Sequence, residues 1–191
     1  APLLPAITGC GTPLPLTVSG PAAPAADRDA QALLDATATA HGWTALQGIR
    51  DIALHYEGEW APFINAIQPE VVDAGFRGWS EERLLLSDGI NAQAYVGPQG
   101  RKFMHWRRGM DAASGQVAVW FNGQPASGPA LPAAALVAEG YGLFLLGPLW
   151  LKLRGAVPLA RAGHERVDGR ACDVLQAWLR PGLGRSAVDR V

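Results

Sequence analysis

Short runs of alternating apolar and polar residues, separated by turn signals, constrain the fold of this chain most strongly. In residues 47–60, Ile52, Leu54 and Tyr56 share one face and polar side chains share the other. A period of two predicts a half-exposed β-strand. Further strands are predicted at residues 71–79, 83–87, 92–96, 101–107 and 116–121. Glycine- and asparagine-rich turns at residues 87–89, 97–100 and 121–124 join them, so we expect an antiparallel meander.

Two segments have the apolar spacing of helices instead. Residues 27–40 begin with a capping aspartate and end before Gly42. Residues 132–146 begin with a proline and carry an apolar stripe that includes Tyr141 and Phe144. Two more strands are predicted at residues 157–166 and 171–179, joined by a turn at Asp168-Gly169. One antiparallel sheet with two helical segments belongs to the α+β class.

The amino-terminal residues resemble the end of a bacterial lipoprotein signal peptide. Ile7-Thr8-Gly9-Cys10 has the apolar, small, small, cysteine order of a lipobox, whose thiol receives a diacylglycerol. We expect residues 1–9 to be a residual signal peptide and residues 10–26 to be the lipidated Cys10 with a Pro/Ala-rich tether. The alternative is an ordinary buried cysteine near a chain end. The chain starts without Met and stops in a strand-like stretch, so residues 27–191 are expected to be a β-domain truncated at its carboxyl end.

Composition argues against several functional classes. The net charge of −1 and the lack of a run of basic residues give no reason to expect nucleic acid as a partner. The four histidines and two cysteines have no metal-ligand spacing, and no nucleophile elbow is present, so we expect no cofactor, no metal and no catalysis. No uninterrupted apolar stretch is long enough for a transmembrane helix.

The order of elements resembles the LolA/LolB-like lipoprotein-localisation superfamily. The resemblance rests on Val119-Trp-Phe-Asn-Gly123, on the late hairpin at residues 163–175, and on the helix inserted at residues 132–146. It implies a curved, unclosed half-barrel sheet whose mouth is covered by the two helical segments, with an apolar cavity for acyl chains. The family sheet extends for several strands beyond the point where this chain stops.

A curved sheet with period-two strands places one apolar row inside. The candidate lipid-cavity residues are Ile52, Leu54, Tyr56, Met104, Trp106, Val117, Val119, Phe121, Tyr141 and Phe144. Each of them is equally an ordinary core residue, and the seven tryptophans of the chain are explained first by core packing.

The leading hypothesis is a non-catalytic envelope lipoprotein that binds a lipid or an acyl chain, with lipid or lipoprotein transport as its candidate role. Its partners would be that lipid and the membrane through Cys10, with another envelope protein as a further candidate. Gly11 after the cysteine, rather than aspartate, favours the outer membrane, with the domain facing the periplasm. The alternatives are an interaction, assembly or sensor lipoprotein with a filled core and, less favoured, an envelope hydrolase.

Overall fold

The computed structural model describes residues 12–13, 25–67, 69–109, 115–155, 157–179 and 189–190. The strands of the larger sheet are β1 (Thr12–Pro13), β2 (Asp51–Glu57), β3 (Trp79–Leu85), β4 (Ile90–Gly97), β5 (Gly100–Arg108), β6 (Gly115–Phe121) and β7 (Gln124–Pro125). Their order is β1-β6-β5-β4-β3-β2, and β7 also pairs with β6. All the pairings are antiparallel. The sheet is unclosed, because β2 at one edge pairs only with β3 in the described part of the chain.

The helices are α1 (Arg28–Ala40), α2 (Trp43–Leu46), α3 (Pro62–Ile67), α4 (Pro69–Val72), α5 (Ala130–Leu146) and α6 (Pro148–Leu153). A smaller sheet contains β8 (Leu159–Val167), β9 (Arg170–Ala177) and β10 (Asp189–Arg190). The predicted α+β class, with an unclosed antiparallel sheet covered by helices, is confirmed. The last two predicted strands form, but they belong to the smaller sheet, where they pack with α1 and α6.

Local sequence explains why the main elements form where they do. The side chain of Asp27 caps α1 by accepting hydrogen bonds from the backbone N–H groups of Asp29 and Ala30, both at 3.0 Å. At the β6–β7 and β8–β9 connections, an Asn-Gly and an Asp-Gly pair both have positive φ. That conformation is the type I′ turn that two-residue hairpins require, so these turns fix the register of the strands they join.

The prediction of a strand at residues 71–79 is wrong. Pro69 begins the short helix α4, and the chain then turns at Asp73, whose φ is +45°. The N–H of Phe76 donates to the carbonyl of Asp73 at 2.9 Å, and Lys102 forms a salt bridge with the Asp73 carboxylate at 2.5 Å. These contacts hold a turn where the apolar residues suggested a strand, and β3 begins only at Trp79.

The main core lies between α5 and the inner face of the sheet, defined here as the face that α5 covers. From the strands β5 and β6, and from α5, its buried members include Met104, Trp106, Val117, Val119, Leu131, Ala134, Ala135 and Ala138. The small residues of α5 allow its backbone to approach the larger side chains of the sheet. The long helix α5 therefore fixes which face of the meander is buried.

Candidate functional site

The inner face of the sheet is apolar on β5 and β6 but polar on β3 and β4. Four polar side chains of β3 and β4 are at most 1% exposed, namely Ser80, Glu82, Asn91 and Gln93. Burying polar groups is unfavourable unless they are hydrogen-bonded. This half of the inner face is therefore built around a side-chain hydrogen-bond network. It lies next to β2, the open edge of the sheet.

Glu82 lies at the centre of that network. Its carboxylate accepts hydrogen bonds from the Gln93 amide at 2.7 Å and from the Ser80 hydroxyl at 3.3 Å. The Tyr95 hydroxyl in turn donates to the side-chain oxygen of Gln93. Arg77 approaches the carboxylate at 3.5 Å. Burial raises the pKa of Glu82, and the charge of Arg77 and the two hydrogen bonds offset only part of that effect.

Arg77 is held between two aromatic rings. Its guanidinium carbon lies 4.2 Å from the centre of the Tyr95 ring and 4.3 Å from that of Tyr141, and Nη1 donates to the Tyr141 hydroxyl. The turn before β3 places Arg77 beside these rings, because Gly97 lets the backbone of the preceding residue, Phe76, approach β4. A Cβ on Gly97 would lie 2.5 Å from the Phe76 carbonyl carbon. The side chain of Arg77 is only 6% exposed.

A cleft of about 660 Å³ opens beside this arginine. It lies between the end of β2, the start of β3 and the carboxyl-terminal half of α5. Its lining consists of Tyr56, Glu57, Gly58, Glu59, Trp60, Arg77, Gly78, Tyr141, Phe144 and Leu145. Aromatic rings dominate the walls, and Tyr56 meets Tyr141 edge to face at 5.8 Å. The cleft thus combines an aromatic wall, one buried cation and two carboxylates at the mouth.

A second buried polar cluster fastens α5 to the sheet and to α6. Glu139 of α5 accepts a hydrogen bond from the Trp106 indole at 2.7 Å and one from Arg154. Arg108 also approaches Glu139 at 3.5 Å and lies 4.3 Å from the centre of the Trp150 ring. Burial lowers the pKa of both arginines to about 10, so both remain charged at neutral pH. This cluster positions the helix that forms one wall of the cleft.

Three of the predicted cavity residues come together in the cleft. Tyr56 of β2 lines it together with Tyr141 and Phe144 of α5, although Tyr56 is far from the other two in the sequence. Arg77 and Trp60 also line the cleft, but neither is among the predicted cavity residues. A lone arginine in a turn has no spacing that distinguishes it from a solvated side chain, so no sequence signal identified Arg77.

The other predicted cavity residues lie elsewhere. Met104, Trp106, Val117 and Val119 are buried beneath α5. Phe121 packs against the edge of that core, with its ring 4.8 Å from that of Phe76. Ile52 packs in a third cluster near α1, α2 and α6, and Leu54 is half-buried on β2. The sheet and α5 therefore fill most of the predicted cavity with their own side chains.

The outer face of the sheet carries a separate aromatic groove of about 560 Å³. Trp79, Phe103 and Trp120 contribute to it, and Phe103 lies 5.3 Å from Trp120 between ring centres. His55 stacks on Trp79 at the edge of the same face. Side chains alternate between the two faces along each strand, and these residues alternate with the buried residues of the inner face. Their side chains therefore project away from α5. An aromatic surface of this kind is unusual for the solvated face of a sheet.

Within the described ranges, no group of three or more His, Cys, Asp or Glu side chains is arranged to hold a metal ion. No described helix is long and apolar enough to cross a membrane. Cys10 and the lipobox lie outside the described residues. Comparison with protein-family models, curated proteins and solved structures finds no match. The LolA/LolB-like assignment therefore stays a prediction from the sequence.

Proposed function

We propose that this chain is a non-catalytic envelope lipoprotein that binds a lipid or a single acyl chain in the cleft between β2, β3 and α5. The cleft carries the proposal. Its volume falls within the range of roughly 300–1,000 Å³ that is common for small-molecule sites. Its walls are largely aromatic, and aromatic surface binds hydrocarbon chains through burial of apolar area.

The exposure of the aromatic rim supports this function. Phe144 is 69% exposed and Trp60 is 43% exposed, and both line the cleft. An exposed phenylalanine on a buried helix contributes little to stability, since most of its surface stays in water. A ligand that covers both rings would remove that surface from water.

The predicted lipidation of Cys10 supplies the location in this proposal. A diacylated Cys10, followed by the Pro/Ala-rich segment that the sequence predicts as a tether, would hold the domain at the periplasmic surface of a membrane, with the outer membrane favoured. Replacing Cys10 with Ala in the full-length gene is expected to move the protein from the membrane fraction to the soluble periplasmic fraction. An unchanged membrane fraction would contradict anchoring through this cysteine.

Native mass spectrometry of the full-length protein tests the lipid-binding function. The protein carries Cys10→Ala and is purified from the periplasm without detergent, before and after organic extraction. We expect extra mass that extraction removes and that is identified as acylated lipid. Phe144→Ala should reduce its occupancy, whereas Phe63→Ala is the matched control because Phe63 is 63% exposed but does not line the cleft. A bare polypeptide that takes up no lipid would overturn the proposal.

The second candidate function is an interaction, assembly or sensor lipoprotein. The filled core beneath α5 and the aromatic groove on the outer face favour it. In that case Trp79→Ala and Phe103→Ala would abolish association with an envelope partner, and no lipid would accompany the purified protein. Under the lipid-binding proposal these two substitutions leave the bound lipid mass unchanged, so the same preparations separate the two functions.

A further inference from the structure

Arg77 has an unused hydrogen-bonding edge. Nε and Nη2 are both buried, and neither has a hydrogen-bond partner in the described part of the protein. These two N–H groups form one side of the guanidinium, which donates two parallel hydrogen bonds to a carboxylate or phosphate. Buried donors without partners are unfavourable and call for a physical explanation.

Glu82 does not neutralise this arginine well. Its closest approach to Arg77 is 3.5 Å, whereas charge-assisted hydrogen bonds are usually about 2.7–2.9 Å long. The Glu82 carboxylate is also shared with Gln93 and Ser80. Because burial raises the pKa of Glu82, its proton is retained more readily than in an exposed glutamate. Glu82 therefore neutralises the charge of Arg77 only in part, and the Arg77 side chain lines the cleft.

Tyr141 offers a third donor beside the arginine. Its hydroxyl accepts a hydrogen bond from Arg77 Nη1, which leaves its own hydrogen free to donate. Burial raises the pKa of Tyr141 to about 12, so the hydroxyl keeps that hydrogen at neutral pH. Tyr141 also lines the cleft, so its hydroxyl and the arginine belong to the same wall.

Building on the proposed function, we propose that Arg77 and Tyr141 bind the anionic head group of the lipid, a carboxylate or a phosphate, while its hydrocarbon tail lies against Trp60 and Phe144. The mouth of the cleft carries the exposed carboxylates of Glu57 and Glu59. Their repulsion of an anion is screened by salt, whereas the buried donors are screened much less. Selectivity for an anionic head group therefore comes from the buried end of the cleft and not from its rim.

The test compares three ligands with the same tail, namely dodecanoate, dodecyl phosphate and dodecanol, by calorimetric titration of the delipidated Cys10→Ala protein. We expect at least one anionic ligand to bind about tenfold to a hundredfold more tightly than dodecanol. The preferred anion distinguishes a fatty-acid from a phosphate source. Arg77→Met should remove this preference while leaving the dodecanol affinity nearly unchanged. Phe144→Ala should weaken all three ligands by the same factor.

Folding of each variant is checked by circular dichroism. If Arg77→Met does not fold, Tyr141→Phe is the second test. It removes only a hydroxyl, and it should reduce the preference for the anionic ligands. Equal affinities of the wild-type protein for all three ligands would overturn the head-group assignment and leave lipid binding intact. Binding of none of them would overturn both proposals.

Discussion

Replacing Glu139 with glutamine measures how strongly α5 is fastened to the sheet. Glutamine keeps the shape of the side chain and an oxygen acceptor for Trp106, but it removes the buried charge that faces Arg108 and Arg154. Removing one partner of a buried ion pair costs about 3–5 kcal/mol. Arg108 retains a hydrogen bond to the Leu153 carbonyl at 3.3 Å, so we expect the lower end, about 3 kcal/mol.

Urea denaturation, followed by tryptophan fluorescence, measures the change in the free energy of unfolding that Glu139→Gln causes. With an m-value of about 2 kcal/mol/M, the midpoint should fall by about 1.5 M. Asp35→Asn is the control, because the Asp35–Lys152 pair is partly exposed and such pairs contribute less than about 1 kcal/mol. If Glu139→Gln lowers the midpoint no more than Asp35→Asn does, the buried cluster does not hold α5 in place.

Three further predictions concern the core and the polar network. Gly142→Ala should lower the melting temperature, because its Cβ would lie 2.5 Å from the Trp150 ring and overpacking costs about 1–3 kcal/mol; a higher melting temperature would show that the ring moves aside. Val117→Ala, at a fully buried site, should cost about 2 kcal/mol in urea denaturation, and a loss below about 0.5 kcal/mol would contradict tight packing beneath α5. The folded state raises the pKa of Glu82 above its ordinary value near 4.5, so between these two pKa values the folded protein binds more protons than the unfolded protein. Glu82 therefore destabilises the fold increasingly as the pH rises from about 4.5 to the raised pKa. The stability of Glu82→Gln relative to wild type should therefore increase with pH above about 4.5 in paired denaturation curves, and a pH-independent difference would refute the shifted pKa of Glu82.

The local chemistry of the sequence predicted the meander. Asp27 identified the start of α1, and the Asn-Gly and Asp-Gly pairs identified two hairpins whose turns have the positive φ that those residues adopt readily. The strand predicted at residues 71–79 failed because apolar content alone does not distinguish a strand from a short helix and a turn. Pro69, just before that segment, and the left-handed Asp73 within it decided the backbone.

The candidate site was only partly predictable. The alternation on β2 and the helical stripe on α5 singled out Tyr56, Tyr141 and Phe144 as cavity candidates, and the structure brings the three together in the cleft. Arg77 was not predicted, because its hydrogen-bond partner Tyr141 is 64 residues away in the sequence.

The sequence by itself determined helices α1 and α5, most strands of the meander and their antiparallel pairing, since turn residues and caps act over a few neighbouring positions. Only the tertiary structure decided which polar side chains became buried. Glu82 and Gln93 look like solvent-facing residues in their strands, and they are buried because α5 covers that face of the sheet. Their partners come from other elements, so burial, charge pairing and the unused edge of Arg77 arise from contacts that no local pattern encodes.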